Sequence, residues 1–297
     1  LSFDVYKQHT YNLLLPRQLP EHTGFSTILE NVGETENTGF EIALTTQNVR
    51  ASSGFNWTTD LTLFSNRERI VKLSESFRDL SNLWFVGYSP SIFYSHEKIG
   101  IWQESEEELA DSYNFRVGDI KLKDYNRDGV ISDADKVVIG QVRPKWSGGL
   151  NNSFSFKGFD LNVFIFARMG QTIDFEGYHW DSYWYEGRAS GVKVDYWTYD
   201  NPTNEFPRPD RGASKKVFNE TLRYVDGSFI KIRDITFGYS IPSSLVNRAG
   251  ISRFRIYTTL KNYFLLYNTI PGYDSERAGD LSYPMTKQWL FGINVDF

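Results

Sequence analysis

The segment MTKQWLFGINVDF at positions 285–297 decides the fold. Met285, Trp289, Phe291, Ile293, Val295 and Phe297 lie on one register, with Gln288, Gly292, Asn294 and Asp296 on the other. A β-strand sends successive side chains to opposite faces, so one face is apolar and the other small or polar. A tilted strand crosses a bilayer in about 9–11 residues, which this segment supplies. The same alternation recurs, less cleanly, at 1–8, 37–49, 54–69, 148–157, 159–170, 228–240 and 252–264. In 159–170, Leu161, Val163, Ile165 and Ala167 share one face; Asp160, Asn162, Arg168, Phe164 and Phe166 mix on the other. In 228–240, Ile235, Phe237 and Tyr239 oppose Thr236, Gly238 and Ser240. Lys231 and Arg233 share the apolar register and are expected beyond the apolar band. Soluble strands average about 5–6 residues, so this many long ones is unusual.

Connection lengths give a second clue. Residues 48–53 and 157–158 read as tight turns and 241–251 as a modest one, whereas 9–36, 70–147, 174–227 and 265–284 read as long. Short turns at one end and long loops at the other are the habit of outer-membrane barrels. Helical patterning is confined to 104–111 and a turn at 243–248. The expected fold is therefore all-β: an antiparallel transmembrane barrel segment of about eight strands with long extracellular loops. The competing fold is a soluble β-sandwich, with shorter strands and turn signals every 8–12 residues or so.

Composition narrows the function. The chain has 297 residues, no cysteine, a net charge of −5, and 23 Phe, 18 Tyr and 8 Trp. The longest strictly apolar runs, 163–167 and 263–267, are far short of the roughly 18 residues of a membrane helix. Missing cysteine excludes disulfide scaffolds, thiolate metal sites and cysteine nucleophiles. Mild acidity without a basic block argues against nucleic acid. His9, His22, His96 and His179 are far apart in sequence, against a His-rich metal site. No signal peptide is expected, since the chain opens directly on the strand-like Leu1-Ser2-Phe3-Asp4-Val5-Tyr6.

The most specific local motif is DYNRDGVISDAD at 124–135, which follows the D-x-N-x-D-G calcium loop. Asp124, Asn126 and Asp128 would supply oxygens, the Val130 carbonyl another, Ser132 one through water, and Asp135 the last. Aspartate at the final position resembles a dockerin-type loop. With residues 118–122 reading as a strand, the entering helix of an EF-hand is missing. Residues 118–140 are then a calcium-clipped insertion with a structural role. The alternative is an acidic turn closed by Asx hydrogen bonds, without metal. A second cluster, Tyr178, Trp180, Tyr183, Trp184, Tyr185 and Trp197, with Tyr273 further on, suits sugar faces or mixed interfaces. Its alternative is loop packing or a membrane-interface girdle. Glu104, Glu106, Glu107 and Glu108 read as a solvated face. No G-x-S-x-G, P-loop, H-E-x-x-H or dinucleotide fingerprint occurs, so nothing points to an enzyme.

Val117-Gly118-Asp119-Ile120-Lys121, the 124–135 loop, Val138-Ile139-Gly140 and Pro144-Lys145-Trp146-Ser147-Gly148-Gly149-Leu150-Asn151-Asn152 strongly resemble SusC/RagA-type TonB-linked outer-membrane proteins. So do Asn37-Thr38-Gly39-Phe40-Glu41, Gly100-Ile101-Trp102-Gln103, Trp197 with Asn201-Pro202-Thr203-Asn204, and Ile232-Arg233-Asp234-Ile235-Thr236-Phe237-Gly238-Tyr239. Gly272-Tyr273-Asp274 and Phe297, similar to an outer-membrane insertion signal, close the series. The resemblance implies a plugged barrel of about 22 strands. It also implies TonB as energy source through an N-terminal part missing here, a SusD-like surface lipoprotein as partner, and oligosaccharide or peptide as substrate. The chain aligns with the C-terminal third of that architecture, as a fragment or one part of a split barrel. Trp289, Phe291, Ile293, Val295 and Phe297 would then face outer-membrane lipid, and no catalysis is expected. The alternatives are a calcium-clipped sandwich that binds carbohydrate, and a self-contained small barrel acting as adhesin or receptor.

Overall fold

A computed structural model describes residues 1–19, 24, 27–74, 77–178, 193–209 and 218–297. Eight long strands form one sheet: β1 (Ser2–Gln18), β2 (Thr27–Arg50), β3 (Asn56–Lys72), β4 (Trp146–Phe156), β5 (Phe159–Met169), β6 (Phe229–Ile241), β7 (Arg253–Asn268) and β8 (Gln288–Asp296). Each pairs antiparallel with its neighbour in sequence, and β1 and β8 are the two edges. This is a meander in a single layer. It is neither two packed sheets nor a small closed barrel, so the sandwich and the self-contained barrel fall away.

Registers put one outward row system across the whole sheet. Phe3 pairs with Ile42, Ile42 with Leu63 and Leu63 with Gly148. Further along, Leu161 pairs with Phe237, Phe237 with Thr258 and Thr258 with Phe291. Side chains on these rows are exposed although apolar: Val5 is 70% exposed, Phe291 74% and Ile293 64%. Among the described residues nothing covers an apolar face of this extent, which is the condition of a sheet in lipid. The single Asn on these rows of β4, Asn152, accepts from Trp57 Nε1 at 3.0 Å and Thr59 Oγ1 at 2.8 Å, so its oxygen is satisfied. Near the short turns the rows become aromatic: Trp57 stacks on Phe154 and Phe159 on Phe237, with Tyr239 tilted against Phe159. Aromatics at that level form an interface girdle.

The opposite face is polar. Arg255 forks onto Asp160 at 2.9 and 2.6 Å, Lys261 lies 3.4 Å from Asp234, and Thr45 donates to Asp60 at 2.7 Å. Apolar-out and polar-in describe a barrel wall.

The connections sort by end. Residues 51–55, 157–158 and 242–252 close one end, and 19–26, 73–145, 170–228 and 269–287 close the other. The two-residue turn puts Lys157 and Gly158 at φ of 48° and 87°, both left-handed, as a tight hairpin requires. Two expectations need correction. The span 9–36 is no long connection, because β1 runs on to Gln18 and β2 starts at Thr27. Lys231 and Arg233 are not outward residues beyond the band. A bulge lets Phe164 pair with Asp234 and Ile165 with Ile232, so Arg233 is the extra residue and the phase flips. Ile232 and Ile230 continue the outward rows, and Lys231 turns inward beside Phe166.

Buried apolar side chains lie mostly in the long connections. Ile101, Val117, Ile120, Leu122, Trp197, Phe206 and Leu222 form one core, and Trp102, Ala110 and Phe115 adjoin through Ile131 and Phe218. Ile173, Phe175 and Ile270 form a third group. Residues from 73–145 and 170–228 therefore fold together as a globular layer on the wall. Short strand pairs frame it: Ile92–Ser95 with Val137–Gln141, Lys98–Ile101 with Ile120–Leu122, and Thr172–Asp174 with Tyr224–Asp226. A 3-10 turn at Glu104–Glu106 leads into the helix Glu107–Ser112, as the pattern at 104–111 predicts.

Candidate functional site

The two longest connections meet around a cavity of about 460 Å³, large enough for a small ligand. Tyr178, Phe206 and Tyr224 give it aromatic walls, and Glu205, Asp226 and His96 give it polar ones. Its frame is built by local chemistry. Lys98 crosses between connections, donating to the carbonyls of Asn204 at 2.8 Å and Glu205 at 2.7 Å. Burial holds this ammonium below the usual lysine range, partly countered by the Glu205 charge. Asn204 Oδ1 accepts from the Ile101 N–H at 3.1 Å and from Gln103 Nε2 at 3.2 Å. Gln103 Oε1 in turn accepts from Trp197 Nε1 at 3.0 Å. The Asn201–Asn204 stretch and Gly100–Gln103 were both legible as motifs, but their joining was not.

The aromatic residues separate by role. Trp197 is 3% exposed and lies in the loop core, so it packs instead of presenting a surface. Gly118, at φ 85°, makes room: a Cβ there would stand 2.6 Å from the indole. Tyr178 stands edge-on to Phe175 and Phe206, 4.8 Å from each, at the cavity wall. Burial, then the nearby Glu205 charge, pushes its phenol up. Tyr273 lines a second cavity of about 320 Å³, together with Lys231 and Asp274. Its hydroxyl accepts from the Gly279 N–H at 2.8 Å and donates to the Asp280 carbonyl at 3.2 Å. Trp180, Tyr183, Trp184 and Tyr185 lie outside the described residues.

Sequence reasoning missed the inward cluster on β6. Lys231, 1% exposed, meets Asp274 at 2.5 Å and Glu276 at 2.8 Å, and Arg233 pairs with Glu276. The arrangement pins residues 269–287 to the wall. Only the bulge at Arg233 makes it possible, and alternation carries no mark of a bulge.

The 124–135 loop is closed by its own hydrogen bonds. Asp124 accepts from the N–H groups of Arg127 at 2.6 Å and Gly129 at 2.9 Å, and from Tyr113 Oη at 3.1 Å. Asp128 accepts from the Val130 N–H at 2.8 Å and Asn126 Nδ2 at 2.7 Å. Asp135, fully buried, accepts from the N–H groups of Tyr125 and Ser132, both at 2.9 Å, and Asn126. Burial alone would raise its pKa, but these donors hold it below the usual aspartate value. Among the described residues no three His, Cys, Asp or Glu side chains converge as a metal-holding group.

Among wall residues, Trp289, Phe291, Ile293 and Val295 occupy the outward rows of β8, and Phe297 follows its last residue.

No protein-family profile matches this chain. It is 30% identical over its whole length to TonB-dependent receptor P3 of Formosa agariphila, spanning 32% of that protein. It is also 30% identical to receptor P26 of the same organism, again over 32%. TonB-dependent receptor SusC of Bacteroides thetaiotaomicron matches all of the chain at 22% identity, over 30% of its own length. A solved structure of the RagAB peptide transporter superposes on 99% of the chain with a TM-score of 0.75 at 23% identity, covering 33% of that chain. A structure of the RagAB peptide importer in the "open-open" state gives 0.76 at 24%. The chain thus spans about a third of the curated relatives it matches. With the outward apolar rows, the inward polar face and the one-sided loops, it is similar to about a third of a SusC/RagA-type TonB-dependent receptor, and its place is the outer membrane.

Proposed function

We propose that this chain is the wall and extracellular loop layer of a TonB-energised importer, taking up oligosaccharides or peptides with a SusD-like lipoprotein. One observation carries the reading: an outward apolar face spans eight strands while the long connections all lie at one end, their described residues packing there into a layer. The wall fixes the layer at the membrane surface, and the cavity between the two longest connections lies where an arriving solute is first met. Strand edges cannot stay unpaired in lipid, so β1 and β8 need further strands to close a barrel, and a transporting lumen needs many more than eight. Uptake requires binding and gating without covalent chemistry. In cells carrying the intact protein, labelled peptides and oligosaccharides should accumulate only when TonB is functional. Uptake that persists unchanged without TonB, or absence of the protein from the outer-membrane fraction, removes the reading.

Calcium as a structural clip at 124–135 rests on the spacing of Asp124, Asn126, Asp128, Val130, Ser132 and Asp135. Calorimetric titration decides it: heat in the native protein that vanishes in Asp128→Ala supports the clip, and no heat in either removes it.

A further inference from the structure

Loopward of the apolar rows, the outward face of β1, β2 and β3 turns charged. Phe3 with Ile42, and Val5 with Phe40, are the apolar pairs that immediately precede the charged rows on β1 and β2. The next two rows read Lys7, Thr38, Arg67 and then His9, Glu36, Arg69, paired in register across all three strands. Lys72 follows, opposite Glu34. Glu36 is held between Lys7 at 2.8 Å and Arg69 at 2.6 Å, and Glu34 between His9 at 3.1 Å and Lys72 at 3.6 Å. Arg67 is exposed and has no ion pair among the described residues.

The cations stand proud of the carboxylates. Side-chain exposure is 65% for Lys7, 48% for Arg69 and 58% for Lys72, against 11% for Glu36. A ladder that only neutralised itself would expose both signs alike. Here the recessed Glu36 steadies two cations while their other N–H donors point outward, and Arg67 adds a whole guanidinium. Position along the strand supplies the rest. Lys7 lies two residues beyond Val5, about 7 Å at a strand's usual rise. That is the step from acyl chains to headgroups. Because β1 and β3 run toward the long connections, the ladder lies at the outer leaflet.

We infer that this ladder docks the phosphates of a phosphorylated outer-leaflet glycolipid of the lipid A type, whose acyl chains lie on Phe3, Val5, Phe40, Ile42 and Leu63. Arg67 and Arg69 offer paired donors that match phosphate oxygens, and Lys7 adds a point charge. The inference rests on the outer-membrane placement and not on transport, so failure of the importer reading leaves it standing.

The test uses the intact protein, delipidated and returned to nanodiscs of uncharged phospholipid. Lipid A, dephosphorylated lipid A or phosphatidylglycerol is added, and bound lipid is read by native mass spectrometry. Retention of lipid A alone is expected, weakened about fivefold for each cation removed in Lys7→Gln, Arg67→Gln and Arg69→Gln, and kept in Lys7→Arg. Equal retention of the phosphorylated and dephosphorylated forms by the native protein overturns the inference, and this arm needs no variant to fold. So does equal retention of phosphatidylglycerol. A triple variant that binds lipid A normally but loses a protein partner overturns it too, by making the ladder a protein interface.

Discussion

Lys231 joins the wall to the loops through a single side chain. Its ammonium is almost wholly buried and bonds to both Asp274 and Glu276, which sit on the last long connection. Lys231→Met would leave two carboxylates facing Arg233 alone. Removing one partner of a buried ion cluster costs about 3–5 kcal/mol. We expect residues 269–287 to detach while the sheet persists, seen as new proteolytic cleavage there without loss of the heat-resistant barrel band. Unchanged cleavage would contradict it. A smaller effect is expected at Glu106, whose carboxyl is held below its usual value chiefly by Lys121, with burial opposing. Lys121 also lies 4.6 Å over the Trp102 ring. A depressed carboxyl stabilises the fold above the ordinary glutamate value of 4.5 and loses that contribution as pH falls through the lower, folded value. Both side chains are partly exposed, so the effect stays under about 1 kcal/mol. Glu106→Gln should flatten the acid limb of the loop-layer melting curve by that amount. The sequence showed the glutamate run as a solvated face, which holds for its neighbours and misses the partner fifteen residues on.

At the level of strands and loops, facing is the claim that matters. Phe291 lies on the outward rows of β8, paired with Thr258, whereas Leu290 pairs with Thr259 on the polar side. Phe291→Arg should therefore cost about 2–4 kcal/mol near the bilayer midplane, and Leu290→Arg much less. Urea unfolding from bilayers measures both, and equal costs would contradict the register. The loop layer makes a separate prediction. Trp197→Ala empties a buried indole site and should cost about 3–5 kcal/mol, exposing 193–209 to protease while the strands remain. The strands were legible because lipid selects on every second residue. Their full lengths were not, because above the membrane β1 and β2 carry mixed side chains such as Lys7, Glu34 and Glu36 that mimic loop composition. Trp197 stayed between surface contact and loop packing for a related reason. A Tyr- and Trp-rich stretch looks alike whether it lines a surface or fills a core, and only the meeting of 73–145 with 170–228 decides.

For the whole molecule, high aromatic content and a mean hydropathy of −0.44 are compatible with a membrane protein on simple geometric grounds. One face of the sheet meets lipid, its other face is polar, and the described residues of the long connections fold as a wet layer at one end. These 297 residues hold no cysteine, so single cysteines placed among them report on this orientation in a protein whose remaining chain has been cleared of cysteine. Single cysteines at Tyr199 in the loop layer, Phe291 on the outward rows and Ser53 in a short turn would be probed in intact cells with a membrane-impermeant maleimide. The account predicts labelling of the Tyr199 position at once, of the Ser53 position only after the outer membrane is opened, and of the Phe291 position only by a lipid-soluble reagent. Labelling of the Ser53 position from outside, or of the Phe291 position as readily as the Tyr199 position, would contradict a sheet that spans the outer membrane with its long loops outward.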